Sequence, residues 1–155
     1  DTIGWANLQW PGSGEIGPGD QFIVYGQAWI DAVTNQTDSL VDLEAWIGYN
    51  SEDTDPSTWT NWIPAYYHAA DGDNDEYTAD LGSDMTTDGT FYYATRFKYQ
   101  DQDYVYGGFS DDGGNFWDGV DNISGVLTVS ETIINYPVNF TVTDATGLYS
   151  HIKLK

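Results

Sequence analysis

Apolar and polar residues alternate along this chain with a period of two, and helix-spaced patterns are almost absent. Residues 43–49 set Leu43, Ala45, Ile47 and Tyr49 on one face of a strand and Glu44, Trp46 and Gly48 on the other. Residues 22–30 are rich in β-branched and aromatic side chains, the composition of a half-buried strand. Residues 90–99 predict a long strand that carries Arg96 and Lys98 on one face. Further strands are predicted at 104–106 and 124–129, with shorter ones at 62–67 and 76–80. Pro11-Gly-Ser-Gly14, Gly17-Pro-Gly-Asp20, Asp71-Gly72, Asp88-Gly89, Gly107-Gly108 and Asp112-Gly-Gly-Asn115 read as the turns between them.

Short strands separated by such turns predict an all-β fold, an immunoglobulin-like antiparallel β-sandwich. The expected module spans residues 1–129, with a connector at 130–137. Residues 138–155 read as two terminal strands around a turn, and a hairpin alone is marginal in water. They either add to the main sandwich or begin a second one, and the second reading is favoured.

Composition narrows the function. Seven Trp, 12 Tyr and six Phe bring the aromatic share to 16%, more than one small core hides easily. These rings are flat and apolar with a polar edge. Sugar rings complement them, with C–H faces to stack and hydroxyls for Asp, Asn and Gln. The formal charge is −21, with 25 acids against Arg96, Lys98, Lys153 and Lys155. Such a field repels nucleic acid, anionic lipid and anionic polysaccharides that no cation bridges, and it permits neutral partners and divalent cations. It equally serves plain solubility. No Cys is present, so disulfides and thiolate metal sites are excluded. No apolar run approaches the roughly 20 residues of a membrane helix, so direct membrane insertion is not expected. The expectation is a secreted or cell-surface protein in which Asp1 lies at or after a cleavage point.

Three segments carry candidate chemistry. In Asp71-Gly-Asp-Asn-Asp-Glu76, alternate acids Asp71, Asp73 and Asp75 with Glu76 are the candidate ligands of a calcium ion held by a curled loop. The spacing is not that of an EF-hand, which wants Gly at the sixth position and Glu at the twelfth, where this chain has Glu76 and Gly82. A solvated acidic reversal is the plain alternative. In residues 110–121, a Gly-rich loop presents Trp117 beside Asn115 and Asp118, as a sugar-binding lip, a calcium loop or a lid on the core. In residues 56–67, Trp59 and Trp62 follow a proline-bearing turn and precede Tyr66, with one of the two indoles expected to be exposed. Trp5, Trp10, Trp29 and Trp46 lie in or beside apolar strand patterns and are assigned to core packing.

A catalytic centre is not indicated. Glycoside hydrolysis needs two carboxylates of separated pKa, and among 25 acids some pair always looks suitable. His68 and His151 fall in no Ser-His-Asp or metal-triad spacing. A binding module rather than an enzyme is expected.

Residues 5–11, 24–29, 45–49, 74–77, 92–97 and 117–129 resemble a recurrent β-sandwich module of secreted Bacteroidota proteins. Such modules accompany amylase-like glycoside hydrolases and outer-membrane glycan-binding lipoproteins. The tail from Val138 resembles the opening of a starch-binding-type sandwich. The resemblance implies a module beside others in a larger secreted protein. Together these readings predict a non-catalytic carbohydrate-binding module for a neutral, starch- or laminarin-like glucan polysaccharide or oligosaccharide. Trp59, Trp62, Tyr66 and Trp117 would stack, and Asn115 and Asp118 would meet hydroxyls. The rival is a structural or adhesive surface module, or filament subunit, with calcium-stiffened loops.

Overall fold

The computed structural model describes residues 1–40 and 42–131. Most of the expected connector and both terminal strands lie outside them. The described chain is all-β: ten strands and two single 3-10 turns, Pro56–Thr58 and Gly82–Asp84. No helix of the described residues is long and apolar enough to cross a membrane.

The strands are β1 (Trp5–Trp10), β2 (Ser13–Ile16), β3 (Ile23–Trp29), β4 (Leu43–Asn50), β5 (Asn61–Asp71), β6 (Asn74–Asp80), β7 (Gly89–Tyr99), β8 (Val105–Gly108), β9 (Asn115–Phe116) and β10 (Gly125–Val129). They form one curled, open sheet in the order β1-β3-β6-β5-β4-β7-β10-β2, with β8 on β7 and β9 on β8. Every pairing is antiparallel except β10 with β2.

β5 turns the corner. Its first half, Asn61 to Ala65, pairs with β4, and its second half, Tyr66 to Asp71, pairs with β6. Pro64 sits in the first half, where among the described residues only β4 flanks the strand, an edge-like setting of the kind in which a strand tolerates proline. The corner brings β1, β3 and β6 across from β7. The Thr95 hydroxyl donates to the Asn7 carbonyl at 2.7 Å, and the Tyr77 and Phe97 rings meet edge to face at 5.9 Å.

The core fills the inside of the curl. Leu8, Val24, Ile30, Ile47, Leu81, Met85, Tyr93, Phe97, Leu127 and Val129 are essentially inaccessible. Each such side chain contributes on the order of 1.5–3 kcal/mol by leaving water. The alternation in β4 holds as read: Leu43, Ala45 and Ile47 are buried, while Glu44 and Trp46 face outward.

Two predicted turns are strands instead. Residues 13–16 form β2, and Gly107-Gly108 closes β8. A Cβ at Gly107 would strike the Asn7 backbone and the Thr95 hydroxyl, and one at Gly108 would strike the backbone of Asn122. These glycines admit a close backbone approach and do not reverse the chain.

Candidate functional site

Outward-pointing residues of β5, β4, β7 and β8 lie in register. Pro64 opposes Trp46, Trp46 opposes Arg96, and Arg96 opposes Tyr106. Period-two alternation adds Trp62 and Tyr66 from β5 and Lys98 from β7 to the same face. Arg96 is its centre. Its guanidinium carbon lies 4.7 Å from the Trp46 ring, 4.4 Å from Trp62 and 4.1 Å from Tyr104. Lys98 reaches the Tyr104 ring at 5.3 Å. Burial lowers the guanidinium pKa from its ordinary value, and Tyr104 and Tyr106 act in the opposite sense. The Arg96 Nε is buried without a hydrogen-bond partner. The only ion-pair contact among the described residues joins His68 Nδ1 to Glu76 Oε1 at 2.7 Å, so neither cation of this face touches a carboxylate there.

Trp59 and Trp62 stack at 6.1 Å with planes 29° apart. Neither is fully exposed, contrary to expectation. Trp59 is buried at 6% exposure and bonds Thr54 Oγ1 through its indole N–H at 3.0 Å. Trp62 is half-buried, held by its N–H to the Trp59 carbonyl at 3.1 Å and lying over Gly48, which has no side chain to obstruct it. Trp59 is therefore the support and Trp62 the presented ring. Tyr66, farther along β5, is 71% exposed.

Trp117 is half-buried and closes a neighbouring hollow of roughly 530 Å³, lined also by Asp55, Ser57, Val105, Tyr106, Phe116 and Asp118. Tyr106 joins hollow and face, its ring 5.8 Å from Trp62. The Trp117 indole N–H donates to Ser124 Oγ at 3.0 Å. Asp118 organises the loop. Its Oδ1 accepts the backbone N–H groups of Val120, Asp121 and Asn122, and its Oδ2 accepts the Asn122 amide. Those hydrogen bonds, led by Asn122, hold its pKa down at about 2. Asn115 is exposed, and its Oδ1 accepts its neighbour's N–H at 2.7 Å.

The acidic segment is not a curled loop. Asp71 pairs with Asn74 across a tight β5–β6 turn, and residues 74–80 run straight on as β6. Strand alternation then sends Asp75 and Glu76 to opposite faces. Asp71 Oδ2 accepts from Gln27 Nε2 at 2.6 Å, and Glu76 engages His68. Asp75 is fully buried with both carboxylate oxygens unpartnered, and burial pushes its pKa up to about 6. Among the described residues no group of three acidic, His or Cys side chains converges as a metal site. The structure thus does not bring Asp71, Asp73, Asp75 and Glu76 together around one point.

The remaining indoles also depart from expectation. Trp10 is 62% exposed, and Trp5, Trp29 and Trp46 are half-buried on outward faces. The β4 alternation already placed Trp46 opposite Leu43, Ala45 and Ile47, and the parity of β7 placed Arg96 with Lys98. Tyr104 and Tyr106 carried no comparable signal, because a short strand does not show which aromatics lie beside which. No protein-family model matches the chain, and no curated protein matches it.

Proposed function

We propose that the chain is a non-catalytic carbohydrate-binding module of a secreted or cell-surface protein, of the type that accompanies Bacteroidota glycan-processing enzymes, and that it takes a neutral glucan on the outer face of β5, β4, β7 and β8. The finer fold assignment, an immunoglobulin-like sandwich, belongs to the same proposal. The observation that carries it is the Arg96-centred aromatic face. Trp62, Trp46, Tyr104 and Tyr106 surround a guanidinium that no carboxylate of the described residues contacts, with exposed Tyr66 beside them. Trp62, Tyr66 and Trp117 stack on sugar rings, Trp59 backs Trp62, and Asn115 and Asp118 frame the loop that presents Trp117. Arg96 donors meet hydroxyl pairs, for which a planar donor fork is suited. Two or three stacked rings give a Kd on the order of 10⁻³ to 10⁻⁵ M after association costs. Avidity from neighbouring modules strengthens so weak a grip.

Affinity electrophoresis against neutral and anionic glycans tests this. Retardation on a neutral glucan that is lost in Trp62→Ala and Tyr66→Ala is the expected result. No retardation on any neutral glucan overturns it.

One observation favours the structural or adhesive reading. Among the described residues β2 is paired on one side only, by β10, so its other edge can accept a strand from a neighbouring module. Melting that responds to calcium and not to sugar would favour that reading.

A further inference from the structure

Opposite the corner from the Arg96 face, Trp5 on β1 and Trp29 on β3 stand directly across from each other. Their neighbours Ala6 and Ala28 are fully buried, so alternation turns both indoles to the outer side. With Asp71, Gly72, Asp73 and Asn74 they line a cleft of roughly 470 Å³. We propose that this cleft binds an ammonium group, carried by an amino sugar or by a small quaternary ammonium compound.

The walls are held in place before any ligand arrives. The Trp5 indole N–H donates to the Gly114 carbonyl at 3.2 Å, and the Trp29 ring covers Gly4, where a Cβ would lie 2.6 Å from the indole. Beneath them Asn7 Nδ2 donates to the Gly113 carbonyl and to Gln27 Oε1, and Gln27 Nε2 fixes Asp71. The Thr34 hydroxyl donates to the Asp73 carbonyl at 2.6 Å and accepts the Ile30 N–H, anchoring the turn.

What these walls offer is indole rings and acceptors. The Trp5 N–H is already used, and the Asp73 carboxylate makes no side-chain hydrogen bond among the described residues. Arg96 and Lys98, the only Lys or Arg residues between 1 and 131, lie on the other face. Indole faces beside a carboxylate attract a weakly hydrated organic cation through both the ring quadrupole and charge. A calcium ion instead asks for about six to eight oxygens, and among the described residues no third carboxylate converges here. The net charge of −21 raises the local concentration of any cationic ligand. This site is independent of the glucan face.

Two-dimensional NMR of the protein, following the indole N–H signals of Trp5 and Trp29 and the backbone amides of residues 71–74, tests the proposal. The titrants are tetramethylammonium chloride, a glucosamine tetramer, its fully N-acetylated counterpart, sodium chloride and calcium chloride. Saturable shifts with at least one of the two ammonium titrants, and none with the acetylated sugar or sodium, are expected. The arm that responds identifies the source of the ammonium group. Trp29→Phe should weaken binding about threefold to tenfold, since Phe is the poorer cation–π partner. Asp73→Asn, in an exposed turn, should weaken it about threefold and lower its salt sensitivity. No saturable shift with either ammonium titrant overturns the proposal. So do equal shifts with the acetylated sugar, shifts produced only by calcium, or ammonium shifts unchanged in both variants.

Discussion

The Arg96 face and the Trp5–Trp29 cleft use the same ring chemistry with opposite charge at the centre. On the face, rings surround a guanidinium that meets no carboxylate of the described residues. In the cleft, indoles border carboxylates that meet no Lys or Arg among the described residues. Both were built by the same device, Trp at an outward strand position beside glycine: Gly48 under Trp62 and Gly4 under Trp29. The difference shows that an aromatic count says little about ligand choice. Under the two proposals, the charge placed among the rings by strand register decides what each surface attracts.

The hardest break of this comparison is Gly48→Ala. Its Cβ would overlap the Trp62 ring, in a strand flanked by β5 and β7. Overpacking of this kind costs about 1–3 kcal/mol. The variant should unfold at lower denaturant concentration and lose glucan retardation, while the Trp5 and Trp29 indole signals keep their ammonium response. Loss of both responses together would show that the surfaces are one cooperative unit.

Asp75 lies on the core side of β6, between Ala28 and Ala70 and so one residue from Trp29 and from Asp71. Its folded-state pKa of about 6 stands above the ordinary carboxylate value. Between about pH 4 and 6 the native chain holds a proton that the unfolded chain has released. This group therefore favours the fold at the acid end of that window, and the advantage disappears as pH rises through 6. Melting temperature should climb when pH falls from 8 to 5. Asp75→Asn, which removes the buried charge, should flatten that slope and stabilise the protein at pH 8 by about 1–2 kcal/mol. A wild-type melting temperature that rises with pH across this window would contradict the assignment.

Much of this fold was legible in the chain. The alternation in β4 and the parity of Arg96 and Lys98 in β7 followed from period two, because one side of each strand is packed and the other is not. β2 and the end of β8 were hidden, since their glycines answer to close neighbours far away in sequence and look like turn residues locally. β5 was read too short, because the pairing that tolerates Pro64 depends on where the sheet turns its corner. The candidate site was legible in its residue types and in Trp62, Tyr66 and Trp117, and less so in its geometry. Local pattern could not show that Trp59 would be roofed by Trp62 or that Trp10 would stand clear. The geometry of the acidic segment was hidden for a related reason. Alternate acids suit a curled loop, but here the chain reverses between Asp71 and Asn74, and adjacent Asp75 and Glu76 fall on opposite faces of β6.

Arg96 sharpens the comparison from the other side. Replacing it with Gln removes a cation from among three rings and should cost about 1 kcal/mol of stability. Glucan retardation should fall, measured on the same gels as Trp62→Ala. Arg96→Lys keeps the charge without the planar fork and should not restore retardation. Full restoration by Lys would make the site a point-charge site.

The smallest effect is expected at Asp118, and it separates a loop anchor from a sugar contact. Four hydrogen bonds hold its carboxylate ionised, with a pKa of about 2. A depressed carboxylate stabilises the fold above the unfolded value near 4, and that contribution is lost as pH falls toward 2. The acid limb thus runs opposite to the Asp75 limb and lies below it in pH. Asp118→Asn should weaken the loss of stability between pH 4 and 2 and leave the pH 5–8 slope unchanged, both read from melting curves. Glucan retardation at neutral pH should change by about twofold or less, as for a surface substitution away from a contact. A larger loss, with the fold intact, would mean that Asp118 meets the sugar directly, and the hollow beside Trp117 would then belong to the binding surface as fully as Trp62 does.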